Sequence, residues 1–273
     1  MSDLSPDQRP GGWNPVPAAY DTMVAPFTAL FAQDALRLAN VRPGQRVLDV
    51  GAGTGVLSLA AAALGAEVLA TDFSQGMVDY VKGKATAQGI RGVQAIVMDG
   101  QALDVADNSF DAASSIFGLM FFPDRASGFR ELYRAIHSKG LAVVASWSSI
   151  ERLRFAQVIL GTLREAVPDL PTPQKPPPWL SLSVRSAFKA EMHAGGFPQV
   201  NMFSVTHLWT FTGPEDLFEE LPSLSPAFSS ILGTLQPAQR EAFRTAFVRR
   251  IRGEQGNGPF GLEGEAHIAV GTK

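Results

Sequence analysis

The sequence predicts an α/β fold in which a doubly wound, mostly parallel sheet carries helices on both faces. Three observations lead there. Short apolar runs alternate with helix-period stretches of about 10 to 15 residues, the rhythm of right-handed βαβ units. One run, Arg46-Val47-Leu48-Asp49-Val50, passes directly into Gly51-Ala52-Gly53-Thr54-Gly55 and a helical stretch. Hydrophobic residues make up 45% of the 273 and charged residues 18%, a balance that supports a packed core and excludes a disordered chain.

Taken in order, residues 1–17 are polar and rich in Pro and Gly, which reads as a loose arm. From Pro26 to Asn40, Phe27, Leu30, Phe31, Ala35 and Leu38 recur at three and four residues and mark an amphipathic helix. The period then changes. Strands are expected at 46–50, 67–72, 93–98, 110–117 and 141–147, with helices at 56–64, 74–88 and 126–136 between them. Beyond Trp147 come a helix at 150–167 and a semi-rigid connector with prolines at 168, 171, 173, 176, 177 and 178. A helix at 184–194 stops at Gly195-Gly196, and 200–211 alternates as a strand. Residues 217–251 read as helix in pieces, and 266–270 as a closing strand. The long stretch from Pro214 to Arg252 exceeds what a sheet connection requires, so a helical cap over a ligand site is expected there. Three regions follow: an arm and lid helix (1–40), a ligand-binding core (41–148), and the remainder of the sheet with the cap (149–273).

Charge and cysteine content narrow the chemistry. A net charge of −3 gives no cationic field for a polyphosphate, so nucleic acid is not an expected partner. With no cysteine there is no disulfide, thiolate nucleophile or Cys-ligated zinc. No His and carboxylate fall at ligand spacing, and no metal is expected. No run of eighteen apolar residues and no leader pattern is present, which reads as a cytoplasmic protein without a membrane span.

The glycine loop points to a ligand. Alternating glycines between a strand and a helix let backbone N–H groups approach a polar molecule that a side chain would keep away. The dinucleotide fingerprint G-x-G-x-x-G is not met: its sixth position is Val56, and the third glycine, Gly55, comes one place early. Asp72 ends the next strand, 21 residues after Gly51, where a carboxylate accepts ribose hydroxyls or simply caps a helix. Asp99-Gly100 ends the third strand as an amine acceptor or a turn.

Val47 through Gly55, with Asp72, Asp99, Phe110-Asp111-Ala112 and Glu131 through Leu141 at their spacings, resembles the class I S-adenosylmethionine-dependent methyltransferases. The similarity is greatest to the small-molecule branch of ubiquinone and menaquinone biosynthesis, over roughly residues 40–147, with Met192 to Phe197 a weaker match to the approach of the sixth strand. The resemblance implies seven strands, the last antiparallel. It implies methyl transfer to oxygen, nitrogen or carbon of a small acceptor, with S-adenosylhomocysteine as product. It also implies that Gly51, Ala52, Gly53 and Gly55 meet the methionine and ribose, that Asp72 holds the ribose, and that Phe73 and Met77 flank the adenine. Asp99, Gly100 and Gln101 would meet the adenine amine, and Ile116 the methionine. Members of the branch often carry His-His after the fourth strand; Met120 and Phe121 stand there in this chain, so no mechanism borrows a histidine from that position.

An apolar or aromatic acceptor is expected against Phe117, Met120, Phe121, Phe122 and Trp147, or these are ordinary core. Tyr20, just ahead of the first helix, and Trp13 are candidates for a lid, with a hydrophobic staple the other reading of Tyr20. His207 is the candidate base, against a structural role for an edge histidine. His137, His193 and His267 carry no special signal, and Arg249, Arg250 and Arg252 read as a solvated group following a helix. Two rival functions remain: a cofactor-binding module without turnover, and a methyltransferase acting on protein. Arsenite methylation is disfavoured without thiolates.

Overall fold

The computed structural model describes residues 4–171 and 175–273. The expected connector falls partly outside them, at Pro173, as do the first three residues of the arm.

Helices α1 (Pro10–Trp13), α2 (Pro17–Met23) and α3 (Ala25–Leu38) precede β1 (Arg46–Val50). Next come α4 (Val56–Ala63), β2 (Glu67–Asp72), α5 (Gln75–Ala87), β3 (Val93–Val97), β4 (Phe110–Ile116), α6 (Arg125–Ala135) and β5 (Ile136–Trp147). The second half holds α7 (Arg154–Ala166), α8 (Arg185–Ala194), β6 (Gln199–Phe211), α9 (Pro214–Glu220), α10 (Pro226–Gly233), α11 (Pro237–Gln255) and β7 (Phe260–Thr272). β1 and β2 are apolar runs closed by Gly51 and Asp72, and α3 to α8 lay apolar faces on the sheet, whereas α10 and α11 pack on other helices and turns. The seven strands are ordered β3-β2-β1-β4-β5-β7-β6, and β7 runs antiparallel to both its neighbours. The chain thus reverses direction across the sheet between β1 and β4, the switch point where open α/β sheets bind ligands.

Alternate residues of β7 show the two covered faces. A side chain at Gly264 would meet Phe27 of α3 and Phe155 of α7, whereas one at Gly271 would meet Phe197 and Met192 at the end of α8. No α-helix joins β3 to β4. That loop is held instead by Arg134 of α6, whose guanidinium donates to the carbonyls of Leu103 and Val105 and to Asp107 and Glu131. Because β6 ends and β7 begins at the carboxyl edge of the parallel strands, α9 to α11 are inserted at that edge.

Several expectations are corrected. The arm is not loose: Pro6–Gln8 form a 3-10 turn, α1 follows, and Asp7 and Trp13 are buried. Asp7 accepts from the Ala227 N–H at the start of α10, and Trp13 Nε1 donates to the Asp7 carbonyl, anchors that local composition cannot reveal. Tyr20 lies inside α2 rather than ahead of the first helix. Arg249, Arg250 and Arg252 lie within α11 and pair with Glu165, Glu254 and Glu215. β7 extends further than 266–270 because β6 pairs with it from Gln199↔Thr272 to Phe211↔Phe260, and β5 further than 141–147 because Ile136 pairs with Phe110 of β4. His137 is the second residue of β5, 3.5 Å from Asp111.

Candidate functional site

At the carboxyl edge of β1, Gly51, Gly53 and Gly55 have φ of +67°, +55° and +83°, values that favour glycine. Their surroundings differ. A side chain at Gly55 would strike Val81 of α5 at 3.1 Å, and one at Gly51 would strike Gly118 at 3.1 Å, so these two glycines serve close packing. At Gly53 nothing lies within 4 Å, so this face of the loop is open. Ala52 is fixed by its N–H donating to the Thr71 carbonyl at 3.0 Å.

Asp72 closes the loop from the next strand. Its carboxylate accepts from the N–H groups of Gly53 and Ser74, both at 2.9 Å, and so joins the glycine loop to the start of α5. Burial raises its pKa to about 6 against the help of those two donors, with Asp49 adding repulsion. Asp49, beneath the loop, is also raised to about 6 by burial although Ser58 and Ser114 donate to it at 2.6 and 2.9 Å. The half-buried Tyr20 has its phenol pushed up by desolvation first, and then by the charges of Asp72 and Asp21. Next to Asp72, Asn14 of the arm accepts from Ser74 Oγ at 2.8 Å and Gly76 N at 3.3 Å, so the arm is seated on the first turn of α5. Sequence reasoning missed Asn14, Asp49, Ser58 and Ser114. Only Asp49 and Ser58, nine residues apart across the glycine loop, gave a local signal.

Phe73 is half-buried beside Asp72, and Met77 is buried one turn into α5. Asp99 is exposed, accepting from both nitrogens of Gln101 at 2.9 Å, while Gln101 Oε1 accepts from Asp124 N. Gly100 has no room for a side chain because Phe122 and Val50 lie against it. Ile116 ends β4 half-buried, and Phe117 follows with φ +59°.

Beyond β4 the character changes from polar to aromatic. Phe117 stacks on Trp147 with centroids 4.0 Å apart, and Trp147 continues to Phe27 and Trp209 through near-parallel contacts of 5.8 and 4.9 Å. Phe31 stands edge-on to Phe117 and Trp147, and its ring also meets His207 at 4.7 Å. His207 Nε2 lies 2.6 Å from Asp34 of α3. Met120 is buried on the other side, where Ser146 Oγ reaches its sulfur at 3.5 Å and Ser181 donates to its carbonyl. Phe121 packs edge-on against Trp13, and Trp13 against Tyr20. Phe27, Phe31 and Trp209 joined this group without a sequence signal separating them from core.

The first half of this edge fits an adenosyl cofactor on its own chemistry. It offers a buried carboxylate for hydroxyls, an open glycine face, and the Thr54 hydroxyl, buried with no protein partner. No helix among the described residues is long and apolar enough to cross a membrane.

Comparison with known proteins agrees. Residues 48–144 match the family model of a methyltransferase domain. An uncharacterised protein of Mycobacterium tuberculosis is 40% identical over 110 residues, 40% of each chain. A demethylmenaquinone methyltransferase of Corynebacterium kroppenstedtii is 37% identical over 127 residues, 46% of this chain and 52% of that protein. The chain therefore spans about half or less of the length of these curated relatives. Among solved structures, the YcgJ protein of a Bacillus aligns with a TM-score of 0.56 at 20% identity, covering 89% of this chain and 97% of the other, which shows a shared fold.

Proposed function

We propose that the chain, a member of the class I S-adenosylmethionine-dependent methyltransferases through its domain at residues 48–144, catalyses methyl transfer to a small, flat, apolar or aromatic acceptor. The observation that carries the reading is the joined pair of Gly53 and Asp72. Gly53, whose side-chain face is open, donates its N–H at 2.9 Å to the Asp72 carboxylate, which Ser74 N–H orients from its other oxygen. S-adenosylmethionine supplies a methyl group on a sulfonium, already activated for in-line displacement.

The chain's own residues have four tasks. Gly53 presents the open backbone face to the amino-acid end, Gly51, Ala52 and Gly55 hold the loop around it in that shape, and Ile116 borders it. Asp72, ionised, accepts the ribose hydroxyls, while Phe73, Met77, Asp99, Gly100 and Gln101 enclose the base. Tyr20, Met120, Phe121 and Trp147 hold the acceptor and exclude water, with Phe117 at the acceptor's seat, so that catalysis is chiefly proximity and orientation. His207 acts as base for an acceptor that must lose a proton. Because the Asp34 carboxylate only accepts, Nε2 carries the imidazole proton and Nδ1 is the basic atom.

The demethylmenaquinone methyltransferase likeness supports trying hydroquinones first. Purified protein would be titrated calorimetrically with S-adenosylhomocysteine, then supplied with S-adenosylmethionine and 1,4-naphthohydroquinone, simple phenols, amines or a protein extract. Formation of S-adenosylhomocysteine with a methylated small product is the expected result. Binding without turnover on any of them would favour the cofactor-binding module, and label appearing in protein would favour the protein methyltransferase. His207→Ala is expected to lower kcat at least tenfold on a phenolic acceptor, and a change within threefold would remove the histidine from this role.

A further inference from the structure

Among the described residues, four non-glycine positions have positive φ: Asn40, Asn108, Lys139 and Phe117. Asparagine tolerates this region, and Lys139 is exposed beside an irregular part of the β4–β5 ladder. Phe117 is different, being bulky and buried, with φ +59°. A conformation of this kind costs on the order of 1–3 kcal/mol and persists only where its surroundings over-determine it.

The surroundings that hold it are the rings. Phe117 lies 4.0 Å from Trp147 at an interplanar angle of 25°, with Phe31 edge-on at 5.4 Å. The stack then runs through Trp147 and Phe27 to Trp209, so Phe117 is its terminal ring. A terminal ring can leave and be replaced by another flat ring without disturbing the rest. Its backbone is pinned on one side, where Phe117 N donates to the Ala145 carbonyl at 3.0 Å. On the other side Gly118 lies against the first glycine of the loop; a side chain there would come within 3.0 Å of the Gly51 carbonyl. The pivot of the Phe117 ring thus adjoins the donor half of the site, and the ring itself lies in the aromatic half.

We infer that Phe117 is a place-holder: its ring occupies the seat of the acceptor's ring on Trp147 and yields that seat to a flat aromatic acceptor. The inference rests on the methyl-transfer reading and gives the acceptor a chemical class. An incoming aromatic ring restores the stacking that Phe117 gives up and brings no strain of its own. A saturated ring restores only the contact area. Competition with the resident ring also lowers the apparent affinity, since only the open fraction of the protein binds.

The test uses 1-naphthol and its saturated analogue decahydro-1-naphthol as probes, titrated into the full chain in the presence of S-adenosylhomocysteine. Phe117→Ala is expected to bind 1-naphthol at least fivefold more tightly than the parent and decahydro-1-naphthol tighter by a similar factor, with 1-naphthol the tighter ligand of the two in both proteins. Phe117→Leu, which keeps apolar volume should the alanine variant unfold, is expected to show the same sign with a smaller gain. Weaker, unchanged or undetectable naphthol binding in a folded variant would overturn the place-holder role and return Phe117 to the core. Titration of S-adenosylhomocysteine alone into each protein separates the two layers. If the parent binds it, a negative naphthol result refutes only the place-holder; if the parent does not, the methyl-transfer reading fails as well.

Discussion

Lowering the pH from 7 to 5 is expected to weaken cofactor binding about tenfold through one carboxylate. Asp72 is buried and titrates near 6, whereas in the unfolded chain it would titrate near 3.8. In the proposed site the ribose hydroxyls donate to the ionised form, so binding at low pH must first drive off a proton. With a pKa of about 6, roughly nine-tenths of Asp72 is ionised at pH 7 and about one-tenth at pH 5, which sets the tenfold factor. The assay is calorimetric titration of S-adenosylhomocysteine at half-unit steps. Asp49 titrates in the same range, but it faces Ser58 and Ser114 beneath the loop, so the two carboxylates are told apart by substitution. Asp72→Asn should flatten the profile and weaken binding at pH 7 by about 1.5–3 kcal/mol, the worth of a hydrogen bond to a charged group. Asp49→Asn should leave a slope. Affinity that is flat in the parent, or a slope that survives Asp72→Asn, would refute the assignment. The same shift affects stability with the opposite sense. Between pH 3.8 and about 6 the folded state holds protons that the unfolded chain has released. The contribution of these two aspartates is therefore greatest below pH 4, and is lost as pH rises through about 6.

Three further outcomes are expected. Gly53→Ala should cost about 1–2 kcal/mol in urea unfolding for its positive φ and weaken cofactor binding more than tenfold, because its methyl group enters the open face; Gly55→Ala should lose stability against Val81 with a smaller effect on binding. Arg134→Ala should lower the urea-derived stability by about 2 kcal/mol, since the β3–β4 loop loses its guanidinium anchor; an unchanged midpoint would mean that the loop is held by other contacts. Gly76→Ala should lift the arm, because its side chain would lie 2.3 Å from the Asn14 carbonyl; faster proteolysis ahead of α2 is the readout, and an unchanged cleavage rate would count against the seat.

The parts of this molecule that could be read from the sequence are those whose cause is local. β1 at 46–50 and β2 at 67–72 match their predicted bounds because an apolar run and its closing Val-Gly or Asp lie within six residues. Ser138-Lys139-Gly140 reads locally as a turn, yet Lys139 N donates to the Lys273 carbonyl and Lys273 N to that of Gly140, so a partner 134 positions away makes it strand. The same holds for the arm, whose anchors Asp7–Ala227 and Asn14–Ser74 span 220 and 60 positions. The four stacked rings come from α3, the end of β4, β5 and β6, and no window of sequence contains two of them at stacking distance. Glycines and carboxylates at strand ends carry their meaning in spacing, whereas aromatic side chains acquire theirs only from what the fold brings beside them.

The order of the sheet accounts for that division. β2 and β1, on one side of the switch point, end in Asp72 and the glycine loop; β4 and β5, on the other, end in Phe117 and Trp147. The proposed charged donor and apolar acceptor would make opposite demands on solvation, and a single pocket lined uniformly would serve one of them badly. Here the polar and aromatic halves adjoin at one backbone contact, Gly51 against Gly118, where neither residue has room for a side chain. That contact lets the two halves approach as closely as two peptide backbones can, which is what an in-line transfer between them requires. Substitution of either glycine by alanine would force β1 and β4 apart at this point, and methyl transfer should then suffer even where both ligands still bind.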